Sequence, residues 1–230
     1  MIRPPVVLAF HGVGEATDAE DPHRLVMAPR HLEAQLRLLL RLGYRFVTAA
    51  ELGDRPPPPG TAVATFDDGW RDAVTTVAPL LARLGIRGSF YVCPGWWGGR
   101  HPLVQGEAGR LLDRDEARAL HDLGMEVAAH TLTHPDLRGL DDARLRAELR
   151  EPREELEALT GAPVRTLAYP YGLSDERVRR AAREAGYALA LGWLPGPWSP
   201  YDVPRLPGPP RHGAARLGVK LLLRVRRPGR

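Results

Sequence analysis

Short apolar runs alternate along this chain with amphipathic stretches, and run after run is followed at once by a polar residue. Val6-Val7-Leu8-Ala9-Phe10 leads to His11, Thr61-Ala62-Val63-Ala64-Thr65-Phe66 to Asp67-Asp68, Met125-Glu126-Val127-Ala128-Ala129 to His130, and Val164–Tyr169 to Pro170-Tyr171-Gly172. Continuous apolar runs of this length suit strands covered on both faces. Residues 88–93 and Tyr187–Leu191 read as further strands, the latter as the last clear one, and Tyr44–Thr48 as a short one. Strands separated by helices pair in parallel. The pattern therefore predicts an α/β fold, a parallel sheet wrapped by helices. In barrels of that class the reactive face lies at the C-terminal strand ends, where the polar residues collect.

The intervening stretches carry helix signals. Residues 30–42 set Leu32, Leu36, Leu39 and Leu40 on one stripe, with Gly43 as the stop. A helix is expected from about residue 71 to Leu84, closed by Gly85. Asp113 and Glu116 form a capping-box pattern for a helix to Leu123. Asp141 or Asp142 caps a long helix to Thr160, kinked at Pro152, and Ser174 caps another to Ala185. Gly12–Pro29 reads as a polar loop and Pro56–Pro59 as a stiff connector. No repeat or linker divides residues 1–210, which read as one domain followed by a basic tail, 211–230.

Charge is concentrated in that tail. Of 32 basic residues seven lie between Arg211 and Arg230, with no acidic residue among them, so the remainder carries 25 basic against 28 acidic. The body is thus slightly acidic, so the high pI belongs to the tail and does not imply a nucleic-acid-binding body, which leaves a basic nucleic-acid binder as a distant third reading and no nucleic-acid partner as the expectation. The tail interleaves Leu217, Val219, Leu221, Leu222, Leu223 and Val225 with basic residues. A final helix docked on the barrel accounts for it most simply; the other reading is a peripheral contact with anionic lipid. One cysteine, Cys93, excludes an internal disulfide and a cysteine-rich zinc site. No run matches a secretory leader or a membrane span, so the default expectation is the cytoplasm, with membrane association through the tail as the variant.

Two further patterns carry chemistry. Asp67-Asp68-Gly69 at a strand end is either a plain turn or a division of labour, one carboxylate binding a cation while the other takes a proton. His130-Thr131-Leu132-Thr133-His134 spaces two imidazoles four residues apart, so one helical turn would aim both the same way. Such pairs also occur as surface residues or caps. Two histidines and a carboxylate suit a divalent cation of borderline softness such as zinc, and leave positions open for water.

Taken together, these residues resemble a polysaccharide deacetylase with a NodB-type domain, carbohydrate esterase family four. Thr65-Phe66-Asp67-Asp68-Gly69 matches its first motif, His130-Thr131-Leu132-Thr133-His134 its second, and Tyr169-Pro170-Tyr171-Gly172 part of its third, within a likeness running over roughly residues 5–207. The resemblance implies a distorted (β/α) barrel, usually seven-stranded, that removes acetyl groups from sugars. It implies Asp68, His130 and His134 as metal ligands, with zinc the default and cobalt, nickel or manganese serving similar donors. Asp67 would be the general base, the Tyr171 N–H would face the oxyanion, and Pro170 would lie against substrate.

The match frays in places. Ala168 stands where many members carry arginine, and the Tyr-Pro-Tyr-Gly form resembles a subgroup that includes poly-N-acetylglucosamine deacetylases. Arg205, in Val203-Pro204-Arg205-Leu206, is either the replacement for that arginine or a surface residue beside a proline turn. The family's fourth motif is not recognisable around Gly192-Trp193, and its late general-acid histidine is missing as such. His11 and His212 are the candidates for protonating the leaving amine. His11 is favoured as a site residue, with a structural histidine bonded to backbone as the alternative. Trp96 and Trp97 suit the apolar faces of sugar rings and Trp70 could wall the pocket, whereas Trp193 and Trp198 read as packing. The expected activity is metal-dependent deacetylation of an N-acetylated amino sugar in a glycan. The alternatives are O-acetyl release, cleavage of another C–N bond, or sugar binding without catalysis.

Overall fold

The computed structural model describes residues 3–193, 196–209 and 213–225. Among these residues eight strands run parallel in one sheet: β1 (Val6–Phe10), β2 (Arg45–Phe46), β3 (Thr61–Phe66), β4 (Ser89–Val92), β5 (Glu126–Ala129), β6 (Thr166–Ala168), β7 (Leu189–Leu191) and β8 (Leu206–Pro207). Seven form a continuous path, β7-β6-β5-β4-β3-β1-β8. β1 pairs with β3 from Val6↔Ala62 to Phe10↔Phe66. That leaves β3 one free edge, which β2 takes at Thr61 and Ala62 and β4 takes at Thr65 and Phe66. Val203 bridges to Leu191, and Leu206–Pro207 pairs with Leu8–Ala9. Residues 203–207 thus carry the sheet from β7 round to β1, giving a distorted (β/α) barrel with one thin join.

Strand alternation sorts the core into two. Val7, Val63, Tyr91, Ala128, Ala168, Leu189, Leu191 and Val203 form one buried cluster. Their sequence neighbours Leu8, Ala64, Phe90, Val127, Leu167 and Ala190 belong to the other, which packs on the helices. Phe10, Phe66 and Phe90 stack across three adjacent strands on the helix side, with centroids 5.3 and 4.9 Å apart. Each such ring is worth roughly 1.5–3 kcal/mol of burial. Thr65 and Asp67 share the parity of Val63, so the strand aims them into the barrel.

The helices follow the sequence with local corrections. Helix α1 (Pro29–Arg41) buries Leu32, Leu36 and Leu39, but Leu40 is exposed, and Gln35 is buried instead, donating to the Pro209 carbonyl at 2.9 Å. The expected helix over 71–84 begins as a π-helical turn, Ala73–Val77, before α2 (Ala78–Arg83). Pro79 brings no N–H to the helix, and the wider turn precedes it. The Asp113–Glu116 capping box opens α3 (Arg114–Asp122), with reciprocal bonds of 2.8 and 3.1 Å. Asp141 caps α4 (Asp142–Thr160), which keeps Pro152 inside it. The cap of α5 (Glu176–Glu184) is Asp175 rather than Ser174: the Asp175 carboxylate takes the Val178 N–H at 2.8 Å, and the Ser174 hydroxyl meets Arg179. β8 escaped the sequence reading because it is two residues long and set among prolines. Helix α6 (Gly213–Val225) packs on α1, burying Leu217 and Leu221 and leaving Val219 exposed. Among the described residues no helix is long and apolar enough to cross a membrane.

Asp72, just before the π-turn, ties the long loop after β1 to the end of β3 by accepting the Val13 N–H at 2.8 Å. Burial raises its carboxyl to about 8, against that N–H, which favours the charged form. The unfolded carboxyl ionises near pH 4, at about 3.9. A raised folded value means that Asp72 costs progressively more stability as pH rises towards 8, and little near 4. Asp72→Asn, which keeps an acceptor for Val13, should therefore raise Tm above wild type at pH 8, with the gain shrinking as melts are repeated towards pH 4.

Candidate active site

β3 delivers Asp67 with its N–H bonded to the Phe10 carbonyl at 2.9 Å, the last rung of the β1–β3 ladder. At Asp68 the chain leaves the strand: φ is +72° there and +74° at Gly69. The left-handed pair reverses the chain, so the two carboxylates meet different partners at the same barrel mouth. Both are almost fully buried, at 3% and 4% exposure.

The partners of Asp68 are three imidazoles. Its Oδ1 lies 3.3 Å from His130 Nε2 and 3.5 Å from His134 Nε2, and its Oδ2 lies 3.3 Å from His101 Nε2. His130 donates Nδ1–H to the Ala168 carbonyl at 2.7 Å, which points its Nε2 at Asp68. Asp68, His130 and His134 each offer a ligand atom, all within 4.8 Å of one another. This donor set fits a divalent cation: one carboxylate and two imidazoles, with a backbone carbonyl fixing the tautomer of one ring.

The turn that carries the two histidines is strained and anchored. Thr131 and His134 have φ of +66° and +60°. The wholly buried Glu148 of α4 accepts the N–H groups of Leu132 and Thr133 at 2.9 and 2.8 Å and the Thr133 hydroxyl at 2.6 Å, and pairs with Arg144 at 2.7 Å. Gly95 packs its backbone against the same turn: its N–H meets the Leu132 carbonyl at 2.9 Å, and a Cβ there would come within 2.6 Å of that oxygen. Tyr171, on the neighbouring loop, is also left-handed at φ +58°. Of the five non-glycine residues at positive φ among the described residues, four (Asp68, Thr131, His134 and Tyr171) surround this site.

Asp67 faces Arg205. The fully buried guanidinium places Nη1 2.7 Å from Asp67 Oδ1 and 3.2 Å from Thr65 Oγ1, donates Nε–H to the Gly192 carbonyl at 3.2 Å, and lies over Trp193 at 5.2 Å. Arg205 is therefore no surface arginine. Burial pushes Asp67 up, but Arg205, then His130 and His11, outweigh it and hold the carboxyl below its ordinary value. Burial likewise opposes ionisation of Asp68, and the bonds from His101 and His130 more than reverse it. Burial would lower His130, yet Asp67 and Asp68 raise it. His134 is lowered to about 4, first by burial and then by His130. At neutral pH His134 is thus an uncharged imidazole beside an ionised carboxylate.

Around this centre the remaining candidates divide. Half-buried His11 lines a cavity of about 230 Å³ with Phe10, Arg24, Met27, Trp193 and Gly208, and is among the groups that favour ionised Asp67 and Asp68. Tyr171 is 53% exposed, its ring edge-on to His134 at 4.8 Å. Half-buried Trp96 lies 5.2 Å from the His134 ring and 5.8 Å from that of His101. Trp97 turns the other way, donating its indole N–H to Glu155 at 2.8 Å and packing on the helix-side core. Trp70 is 2% exposed and stacks on His101 at 4.5 Å, so its face is closed to a sugar. Pro170 is buried as well. Trp193 packs across Gly172 and Trp198 on the inner cluster, and His212 lies outside the described residues.

Two residues were missed by reading the sequence. Glu148 shares the buried stripe of α4 with Leu145, Leu149 and Leu156, and a carboxylate on an apolar stripe is a readable signal. His101 follows Gly98-Gly99-Arg100 in a loop, and nothing in its spacing points to Asp68.

The barrel and the strand-end motifs define a carbohydrate-deacetylase type of domain. Residues 54–190, more than half of the chain, match the family model "Polysaccharide deacetylase", and the chain belongs to that family. YxkH of Bacillus subtilis, itself named for the family, is 22% identical over 195 residues, covering 83% of this chain and 64% of YxkH. A chitooligosaccharide deacetylase of Sinorhizobium fredii is 30% identical over 139 residues, covering 59% of this chain and 58% of its own length. The chain thus spans roughly three-fifths of these relatives. The crystal structure of a polysaccharide deacetylase from Bacillus cereus superposes with TM-score 0.79 at 22% identity, over 96% of this chain and 69% of that one, and shares the fold.

Removing Glu148 should test how the turn is held. Glu148→Ala leaves two backbone N–H groups without their acceptor, at about 1–3 kcal/mol each. Urea unfolding should show a loss of roughly that summed size, and amide exchange at Leu132 and Thr133 should accelerate most.

Proposed function

We propose that the chain is a metal-dependent deacetylase acting on an N-acetylated amino sugar of an oligo- or polysaccharide. The observation that carries this reading is the convergence of Asp68, His130 and His134 beside a second carboxylate, Asp67, held by a buried arginine. Asp68, His130 and His134 would hold the cation. A divalent ion there supplies Lewis acidity, polarising the acyl carbonyl and easing loss of a proton from water. Asp67 takes that proton as general base. Arg205 occupies Asp67 Oδ1 and leaves Oδ2 for the reaction, while keeping the carboxylate ionised. Arg205 thereby stands in for the arginine that Ala168 lacks. The left-handed backbone at Tyr171 turns beside His134, and its N–H is the donor proposed for the oxyanion. His11 is the acid proposed for the leaving amine, and Trp96 and Tyr171 flank the substrate. The likeness to chitooligosaccharide deacetylase supports the substrate class.

Acetate release from chitooligosaccharides, measured with and without chelator, tests the reading. Chelator-sensitive acetate is expected. Release that survives complete metal removal overturns the mechanism, and sugar binding without acetate leaves only a binding module. Asp67→Asn should lower kcat by about 10²–10⁴-fold, the usual worth of a general base, with bound metal unchanged on elemental analysis. Arg205→Ala should lower both kcat and Tm, because it leaves a buried carboxylate unpaired, at about 3–5 kcal/mol. Wild-type kcat in either variant would remove that residue from the proposed roles.

A further inference from the structure

We infer that His101 is a positioning residue for Asp68: it holds Oδ2, so that Oδ1 alone faces His130 and His134. This rests on the reading of those three residues as a metal site.

His101 reaches the site on an arm rather than from a strand. Its own N–H bonds to the Gly109 carbonyl at 2.7 Å, Leu111 N–H bonds to Gly99 at 3.1 Å, and antiparallel bridges join Arg100 to Arg110 and Trp70 to Leu111. The imidazole is 5% exposed. Trp70 stacks on one face at 4.5 Å and Trp96 meets it edge-on at 5.8 Å, so the ring plane is fixed. Gly12 makes room for this stack, because a Cβ there would stand 3.0 Å from the Trp70 ring.

The proton on the ring is fixed too. Leu103 N–H donates to His101 Nδ1 at 3.2 Å, which requires a lone pair on that nitrogen. The ring proton therefore sits on Nε2, which lies 3.3 Å from Asp68 Oδ2. The same tautomer argues against His101 as a fourth ligand. A ligating Nε2 would carry its proton on Nδ1, where it would oppose the Leu103 N–H. His101 also stands at the other carboxylate oxygen from the one that His130 and His134 share. A buried carboxylate clamped at one oxygen presents the second in a single rotamer, and outer contacts of this kind are worth about 10–100-fold in metal affinity.

The test is Zn²⁺ affinity of the full chain, measured by competition with a chromophoric chelator, together with the visible spectrum of the Co²⁺ form. His101→Ala should weaken Zn²⁺ binding by about 10–100-fold and alter the Co²⁺ bands. His101→Gln, whose amide N–H can take the place of Nε2–H, should recover most of both. Nitrogen-15 NMR of the metal-free wild type should show His101 protonated at Nε2 and bare at Nδ1. Unchanged Zn²⁺ affinity in His101→Ala overturns the inference. So does a proton on Nδ1 in the wild type, or a His101→Gln variant as weak as the alanine, which would make His101 a ligand. Thermal melts establish that the variants fold; should the alanine variant not fold, the glutamine variant and the wild-type NMR still decide. A wild type that takes up neither Zn²⁺ nor Co²⁺ defeats the metal reading, while the NMR result still judges the His101–Asp68 contact by itself.

Discussion

Two adjacent carboxylates, each about 96% enclosed, stand at the mouth of this barrel. An isolated buried carboxylate does not stay charged; it is paired or it takes a proton. Asp67 and Asp68 avoid that fate by separate routes, and the surrounding structure is arranged around the difference. Asp67 has a permanent cation, Arg205. Asp68 has only imidazoles, which as a group offer N–H or lone pairs as needed. One carboxylate is therefore bound to the protein's own charge, while the other remains suited to a charge from outside.

Keeping the two apart requires backbone conformations that side chains disfavour. The left-handed turn at Asp68 breaks the strand alternation, and those at Thr131 and His134 bring two rings round to meet it. Left-handed residues other than glycine cost on the order of 1–3 kcal/mol each. The offset lies in fixed contacts nearby: Glu148 on three groups of the histidine turn, the Ala168 carbonyl on His130, and Gly95 against Leu132. Strain collects where geometry is chosen for chemistry, and α4 supplies the buried carboxylate that holds it in place.

What the sequence made legible follows from this. The barrel was readable because its strands are apolar on both faces and its helices carry ordinary caps, as at Asp113 and Asp141. The residues at strand ends, Asp67, Asp68 and His130, were readable for the same reason, since a strand's end is a fixed place. His101 was not, because its position depends on an irregular arm whose course is set by Trp70 and Gly109. The division of the Trp96–Trp97 pair was equally hidden. Adjacent residues in a loop have no shared face, and Glu155, forty-odd positions beyond α3's start in the chain, decides where Trp97 points. The two-residue β8 was unreadable by pattern, since its pairing is owed to β1.

The position of Arg205 shows why an alanine at the end of β6 need not leave Asp67 without a cation. Ala168 belongs to the inner cluster of the barrel, together with Val203 and Leu191. It is itself wholly buried there and brings no charge. The closing segment 203–207 bridges β7 at Leu191 and pairs with β1 at Leu8–Ala9, and its Arg205 finds acceptors in Thr65 and the Gly192 carbonyl. A second arginine from β6 would place like charges together in a space dry enough to make that costly. One buried guanidinium, carried by the closing segment rather than by β6, therefore suffices to keep Asp67 charged.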